Sequence, residues 1–451
     1  MINAVFNSWQ RPIPIYPLIT FRIVFGVLMM FSVSRFVALG WIEDHYIAPV
    51  FHFKYYGFSW VEPLGIYGMY LVHVLLFLSA LAIVVGYRYR IASVIMFLTF
   101  TYTELIDLTY YLNHYYFVSL VSFLMIFLPM NKAVSLDTKS GRTSSINHIP
   151  AWMIYSLMMM IAIVYIYAGL AKLNENWMIH ALPLSIWLPA HDKLPLIGPL
   201  FKSSITHYAF SWLGMLYDTF IIFFLLLPRT RILAFVSVVL FHTMTGILFQ
   251  IGVFPIVMIC IVTIFFSAEW HRQFLIRLSQ WLDRWHIPFL LSKEVKKYQL
   301  SRVRNKVMQN SLILFFVFQL LFPLRHFLYP GNIFWTEQGY RFSWRVMLME
   351  KSGTATFFVK DGPNGKEGQV FNNEFLNDHQ EKQMAFQPDM ILQFAHFLGN
   401  HFKEKGMTKP HVRVESYVTL NGAPSRLLVD PQVNLMEVKE SWIHKDWILR
   451  Y

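Results

Sequence analysis

Nine apolar runs, most of them close to the length of a bilayer crossing, constrain this chain more than any other feature. They lie at about 18–40, 67–86, 91–106, 115–130, 151–171, 208–227, 232–248, 251–267 and 309–327. A spanning helix needs ~20 mostly apolar residues, because the hydrocarbon core offers no water to a free backbone group. The shorter runs must tilt, sit deep in the bundle or extend into polar flanks. Phe249 and Gln250 alone separate the seventh run from the eighth, which predicts a tight hairpin. The composition agrees: 56% of residues are hydrophobic and 14% charged, against roughly 25% charged in ordinary soluble domains. A soluble enzyme and a disordered chain are both excluded. The expected fold is mainly α, a polytopic membrane helix bundle of about nine spans over 1–327. A small extramembrane α+β domain follows over 328–451.

Charge gives the orientation. Residues 328–451 hold 14 Lys/Arg and 14 Asp/Glu, so the net +12 lies wholly in the apolar part. With the N-terminus inside, the inner loops hold sixteen cations, among them Arg88, Lys132, Arg229 and Lys293. The outer loops hold four, Lys54, Lys172, Lys193 and Lys202. The positive-inside rule therefore places the N-terminus inside and residues 328–451 outside. No basic tract with interleaved aromatics occurs, so nucleic acid is not an expected partner; membrane lipid is. No Asn-x-Ser/Thr sequon occurs, which points to a bacterial plasma membrane. In a eukaryote the same topology would give an endoplasmic reticulum membrane protein with a lumenal domain.

The outer segment has its own patterning. His411 to Leu420 alternates as a half-buried strand, and Arg426 to Val429 follows as its partner after the turn Asn421-Gly422. A second turn is expected at Asp361-Gly362-Pro363-Asn364-Gly365. Met390, Ile391, Phe394, Phe397, Leu398 and Phe402 recur at helical spacing.

Ionisable groups in or beside spans are costly to bury and are candidate functional residues. Four clusters qualify. Glu104, Asp107, Asn113 and His114 sit in a tyrosine-rich outer turn, which reads equally as an interfacial aromatic belt. Lys172 ends the fifth run; it is either a snorkelling lysine anchored by Trp177 or a desolvated amine able to act as a base. His242 is an intramembrane histidine suited to a helix–helix hydrogen bond. Arg325, His326, Tyr340, Trp344 and Arg345 mark the passage from the last span to the outer domain. Cys260 is the single cysteine and no two histidines have ligand spacing on one helix, so no metal is expected. No inverted repeat supports a transporter.

Read in order, several stretches resemble the vitamin K-dependent gamma-carboxylases, within the wider HTTM family. They are Phe-Arg-Ile-Val-Phe-Gly (21–26), Tyr-Gly-Phe-Ser-Trp (56–60), Leu-Asn-His-Tyr (112–115), Ala-Gly-Leu-Ala-Lys-Leu (168–173) and Phe-His-Thr-Met (241–244). Ser-Ala-Glu-Trp (267–270), His-Phe-Leu (326–328), Phe-Ser-Trp (342–344) and Val-Asp-Pro-Gln-Val (429–433) continue the series. The resemblance implies an enzyme that oxygenates vitamin K hydroquinone to its epoxide with O2. It would carboxylate glutamate in a protein or peptide substrate with CO2, and use no metal. By the same resemblance Lys172 is the catalytic base and His114 the second catalytic residue. Asn113, His242 and His326 would line the cofactor site, and Tyr340, Ser343 and Trp344 the glutamyl site. Ala171, Gly339, Arg341 and Arg345 depart from the animal members' pattern, so peptide recognition is expected to differ. The alternative is an HTTM protein that binds or oxidises a quinone or lipid without carboxylating protein.

Overall fold

The computed structural model describes residues 9–249, 251–284, 296–362 and 365–451. Gln250, Lys293, Pro363 and Asn364, named above, lie outside them. All nine apolar runs are helical. In order they give α1 (Tyr16–Ala38), α2 (Gly65–Val85), α3 (Tyr89–Ile106), α4 (Asn113–Phe127) and α5 (Trp152–Ala171). Then come α6 (Ser204–Leu226), α7 (Arg231–Leu248), α8 (Phe254–Ile261), a further helix α9 (Ala268–Asp283) that belongs to none of the nine runs, and α10 (Arg302–Leu321). Among the described residues six helices are long and apolar enough to cross a bilayer, or up to seven if the bent α8–α9 pair is one span. The helix α4 is shorter, at 15 residues.

Two regions differ from expectation. The connection between α7 and α8 runs from Phe249 to Val253, longer than a two-residue hairpin turn, because α8 does not begin until Phe254. The stretch after residue 267 is not simply loop. Ser267 caps α9 by accepting from Trp270 N at 3.2 Å, and the chain turns by 116° between α8 and α9. Such a cap starts a new helix where the apolar run ends.

The loops gather at two ends of the bundle. At one end Arg22, fully buried, donates to the carbonyls of Met130 at 2.8 Å, Val134 at 2.6 Å and Val84 at 3.2 Å. Asp137 accepts there from Arg88 N at 2.8 Å and Tyr89 N at 3.1 Å, at the start of α3. Gly86 adopts φ +65° to end α2; a Cβ there would sit 2.4 Å from Ser135 Cβ and 2.6 Å from the Arg22 guanidinium. The strands β1 (Pro12–Pro14) and β2 (His148–Pro150) pair at the same end, and Lys297 bridges to His148.

At the other end the C-terminal unit docks. Its sheet has the order β4 (Gly368–Val370), β3 (Lys351–Asp361), β5 (Pro410–Leu420), β6 (Arg426–Leu427), all antiparallel. The helices α11 (Asp378–Met384) and α12 (Pro388–Glu404) pack against it, with Phe357 edge-on to Phe394 at 5.0 Å. The expected strand at 411–420 and helix at 390–402 are both present. Gln380 of α11 donates to Phe51 O at 2.7 Å and Asp107 at 2.8 Å; Gln393 of α12 pairs both ways with the backbone of Lys54. These bonds tie the unit to the loops before α2 and α4.

Arg22→Met should lower the unfolding midpoint in detergent by several degrees. It strands carbonyls where water does not reach, at about 1–3 kcal/mol for each. Arg22→Lys should recover only part of the loss. An unchanged midpoint for Arg22→Met would show that the carbonyl cage contributes nothing.

Candidate active site

The second end of the bundle gathers polar groups that have no solvent. Lys172 caps the C-terminus of α5 and is 6% exposed. Its ammonium nitrogen lies 2.7 Å from Asp218 Oδ2 of α6, 3.2 Å from Ala168 O, and 5.3 Å over the Trp177 ring. Asp218, also 6% exposed, is the only acid in its apolar run. Reading the sequence missed it. A lone carboxyl within a span was the signal that could have found it. Its presence revises the picture of an amine governed by desolvation alone. Lysine and carboxyl here form one buried pair.

His242 of α7 stands beside them. Its Nε2 is 2.7 Å from the Tyr165 hydroxyl, and its Nδ1 has no hydrogen-bond partner among the described residues. The expected helix–helix bond is thus present, to α5. Lys172, Asp218, His242, Tyr165 and Trp177 line one cavity of about 110 Å³. Phe249, Phe254, Met258, Val346 and Met347 supply apolar walls.

His114, at the start of α4, lies just behind this cavity. It stacks on Phe254 at 5.3 Å between ring centres, and His242 meets the same ring edge-on at 5.8 Å. Its imidazole makes no hydrogen bond among the described residues. Asn113 accepts from the Tyr111 hydroxyl at 3.0 Å and donates to Arg345 O at 2.8 Å, pinning the segment that follows α10 onto α4.

That segment, 337–347, forms a wall. Glu337, Phe342, Trp344 and Met347 all have φ between +53° and +58°, and Gly339 has +78°. Non-glycine residues hold that conformation only when their surroundings impose it. At Gly339 the cause is close approach, since a Cβ would lie 2.8 Å from His326 Cα. Trp344 is fully buried and stacks on Tyr116 at 5.0 Å. Ser343 donates to Tyr340 O, and Tyr340 packs edge-on to Phe334 at 6.3 Å. Burial pushes the Tyr340 phenol well above its ordinary pKa, so it stays neutral. None of Tyr340, Ser343 and Trp344 lines the Lys172 cavity; Val346 and Met347 do.

His326 also stands apart from that cavity. Its Nε2 is 2.9 Å from Arg345 Nη2, and Nδ1 is 2.9 Å from Pro323 O. A guanidinium can only donate, so Nε2 accepts and Nδ1 carries the proton. Arg341 pairs with Asp389 and Gln387 of the C-terminal unit. Burial alone would raise Asp389, yet the Arg341 guanidinium holds its carboxyl below the ordinary carboxylate range. The structure therefore brings together Lys172 and His242, sets His114 one ring away, and uses Asn113, His326, Tyr340, Ser343 and Trp344 to build or hold the wall.

Two family models match the chain. One is described as the HTTM domain and covers residues 10–270. The other is described as the vitamin K-dependent gamma-carboxylase lumenal domain and covers residues 304–451. No solved structure matches the chain.

Asp218→Ala leaves a buried ammonium without its partner and should cost about 3–5 kcal/mol of stability. The double change Lys172→Met with Asp218→Leu removes both charges and should return most of that loss. Thermal unfolding of the purified proteins in one detergent checks this. Equal midpoints for Asp218→Ala and the wild type would dissolve the pair as an energetic unit.

Proposed function

The chain belongs to the vitamin K-dependent gamma-carboxylase family, and we propose that it oxygenates vitamin K hydroquinone and carboxylates glutamate in a protein or peptide. The observation that carries the reading is the Lys172–Asp218 pair inside an aromatic cavity, in a chain matched along both of its parts. Residues 1–327 are the membrane part and 328–451 the outer part. The end of the bundle bearing that cavity faces outward.

The walls suit a naphthoquinol in kind. Trp177, Trp187, Phe249 and Phe254 offer ring faces, and the Lys172 amine and His242 Nδ1 offer polar atoms. In size the cavity is tight. An enclosed ~150 Å³ void takes one benzene ring, so about 110 Å³ requires the thioethers of Met258 and Met347 to swing aside. Methionine is the side chain best able to do so.

When bound, the hydroquinone supplies the electrons that reduce O2 and, through that reduction, a base strong enough for a glutamyl γ-proton. Hydroquinone, O2, CO2 and glutamyl give epoxide, γ-carboxyglutamyl and water. The chain's own part is to hold and shield. The Lys172 nitrogen, held 2.7 Å from Asp218 Oδ2, is the group placed to take a proton from a phenol of pKa ~10, with Asp218 as its partner. Phe249, Phe254 and Met347 keep water from that nitrogen. His242 is fixed by Tyr165, which leaves Nδ1 facing the ligand. His114 reaches the same space only past Phe254, and its role is to meet negative charge developing there.

One observation favours a second reading. Tyr340, Ser343 and Trp344 are committed to the wall and do not face the Lys172 cavity. A chain that oxygenates the quinol without carboxylating a peptide would not need them there.

Purified protein given reduced vitamin K, O2, labelled CO2 and a glutamate-rich peptide should form epoxide and peptide-bound label together. Lys172→Ala should lose both products by at least a hundredfold while remaining folded; near wild-type epoxide from it would refute the lysine role. Epoxide without label would select the second reading. His114→Ala should lower turnover more than quinol binding, and an equal fall in both would make the histidine structural.

A further inference from the structure

On the far side of the 337–347 wall lies a second, larger cavity of about 770 Å³. That is within the ~300–1,000 Å³ typical of small-molecule sites. Its body lies among three helices of the bundle. Phe97 of α3, Leu120 and Phe123 of α4, and Phe315 and Phe318 of α10 line it. The helices α4 and α10 touch through Phe123 and Phe315, 5.8 Å apart, and through the Tyr116 hydroxyl on Gln319 at 3.1 Å. Phe318 lines the cavity and is also 51% exposed, so the body opens sideways to where lipid chains lie.

The collar is polar. Most of its charges are already spent: Arg341 on Asp389, Lys445 on Glu440, and Glu337 on Lys351. Two are not. Arg325 donates only to the carbonyls of Phe322 and Arg341, and no carboxylate pairs with it among the described residues. Glu104 of α3 has no hydrogen bond or ion pair among the described residues, and the titratable groups that feel its charge are the tyrosines Tyr46, Tyr55 and Tyr115. Both line the cavity, and they do not pair with each other.

An apolar slot open to the bilayer, under a collar that among the described residues keeps one free cation and one free carboxyl, fits a molecule with a hydrocarbon chain and a zwitterionic head. We propose that this cavity binds one phospholipid with a primary-amine head group, drawn from the leaflet beneath the C-terminal unit. A chain fills the phenylalanine slot, the phosphate meets Arg325 and the amine meets Glu104. Arginine suits the phosphate because its planar fork can donate two bonds to it. The inference is independent of whether the Lys172 site carboxylates anything.

The test is bound-lipid analysis of protein purified in mild detergent and washed to remove bulk lipid. Wild-type protein should retain about one amine-headed phospholipid per chain by mass spectrometry. Arg325→Gln should retain at least tenfold less, and so should Leu120→Trp, which fills the slot. A wild type that retains no more than Leu120→Trp would overturn the proposal. So would recovery of an anionic phospholipid or a quinone in its place. A second measurement needs no variant: a phosphatidylethanolamine carrying a photoreactive acyl chain, activated in membranes, should label α3, α4 or α10 at the slot. Labelling confined to other surfaces would equally end the proposal.

Discussion

A charged amine inside a bundle surrounded by lipid must be matched where it stands, because no water can be recruited to it. Lys172 and Asp218 meet that requirement in one contact of 2.7 Å across α5 and α6. The contact requires the helices to lie close together. A Cβ on Gly169 would fall 2.3 Å from Thr219 Oγ1, so α5 presents bare backbone to the residue next to Asp218. The small residue, the carboxyl and the lysine thus belong to one interface. Trp177 and Phe210 line the aromatic cavity beside that interface.

The opposite end of the bundle solves the same problem without an acid partner. Arg22 is held by the carbonyl of Val84 near the end of α2 and by those of Met130 and Val134 in the loop after α4, and Asp137 by amide hydrogens at the start of α3. The Val84 carbonyl and the α3 amides are groups that a helix end leaves unpaired. This anchors the loops at that end and leaves the other free to be shaped by its partner unit. Gln380 and Gln393 fasten that unit by bonding backbone atoms of the loops, and Gln380 reaches the Asp107 carboxylate as well, so docking depends both on where the loops run and on that one acid.

Much of this was legible in the sequence. Every apolar run became helix, because a strand edge or free loop cannot lie in hydrocarbon. The alternation of His411 to Leu420 became β5, and the spacing from Met390 to Phe402 became α12. The turn between α8 and α9 was not legible, since an apolar run records length and not direction. Asp218 escaped notice because its partner is 46 residues away and only the fold makes them neighbours. The strand β3, with Gly353 and two phenylalanines, carries no clean alternation; its pairing with β5 over Lys351 to Asp361 defines it. Tyr340, Ser343 and Trp344 stand in the wall and do not line the Lys172 cavity. Whether a side chain faces a cavity or fills a wall depends on local φ, which the positive values at Phe342 and Trp344 reverse.

That wall ties the two cavities together. Met347 faces the Lys172 side and Phe342 the phospholipid side, with the buried Trp344 between them. Each left-handed non-glycine residue costs of order 1–3 kcal/mol unless its surroundings compensate. The compensation comes from both neighbours. Asn113 and Tyr111 bond the wall from the membrane part, and Asp389 and Gln387 hold Arg341 from the C-terminal unit. A chain in the slot would press on Phe342 and Tyr116, the latter the ring on which Trp344 rests. Occupancy on one side and the room available beside Lys172 on the other therefore act on the same short stretch of backbone. Its conformation is held by contacts from both halves of the chain and belongs to neither alone.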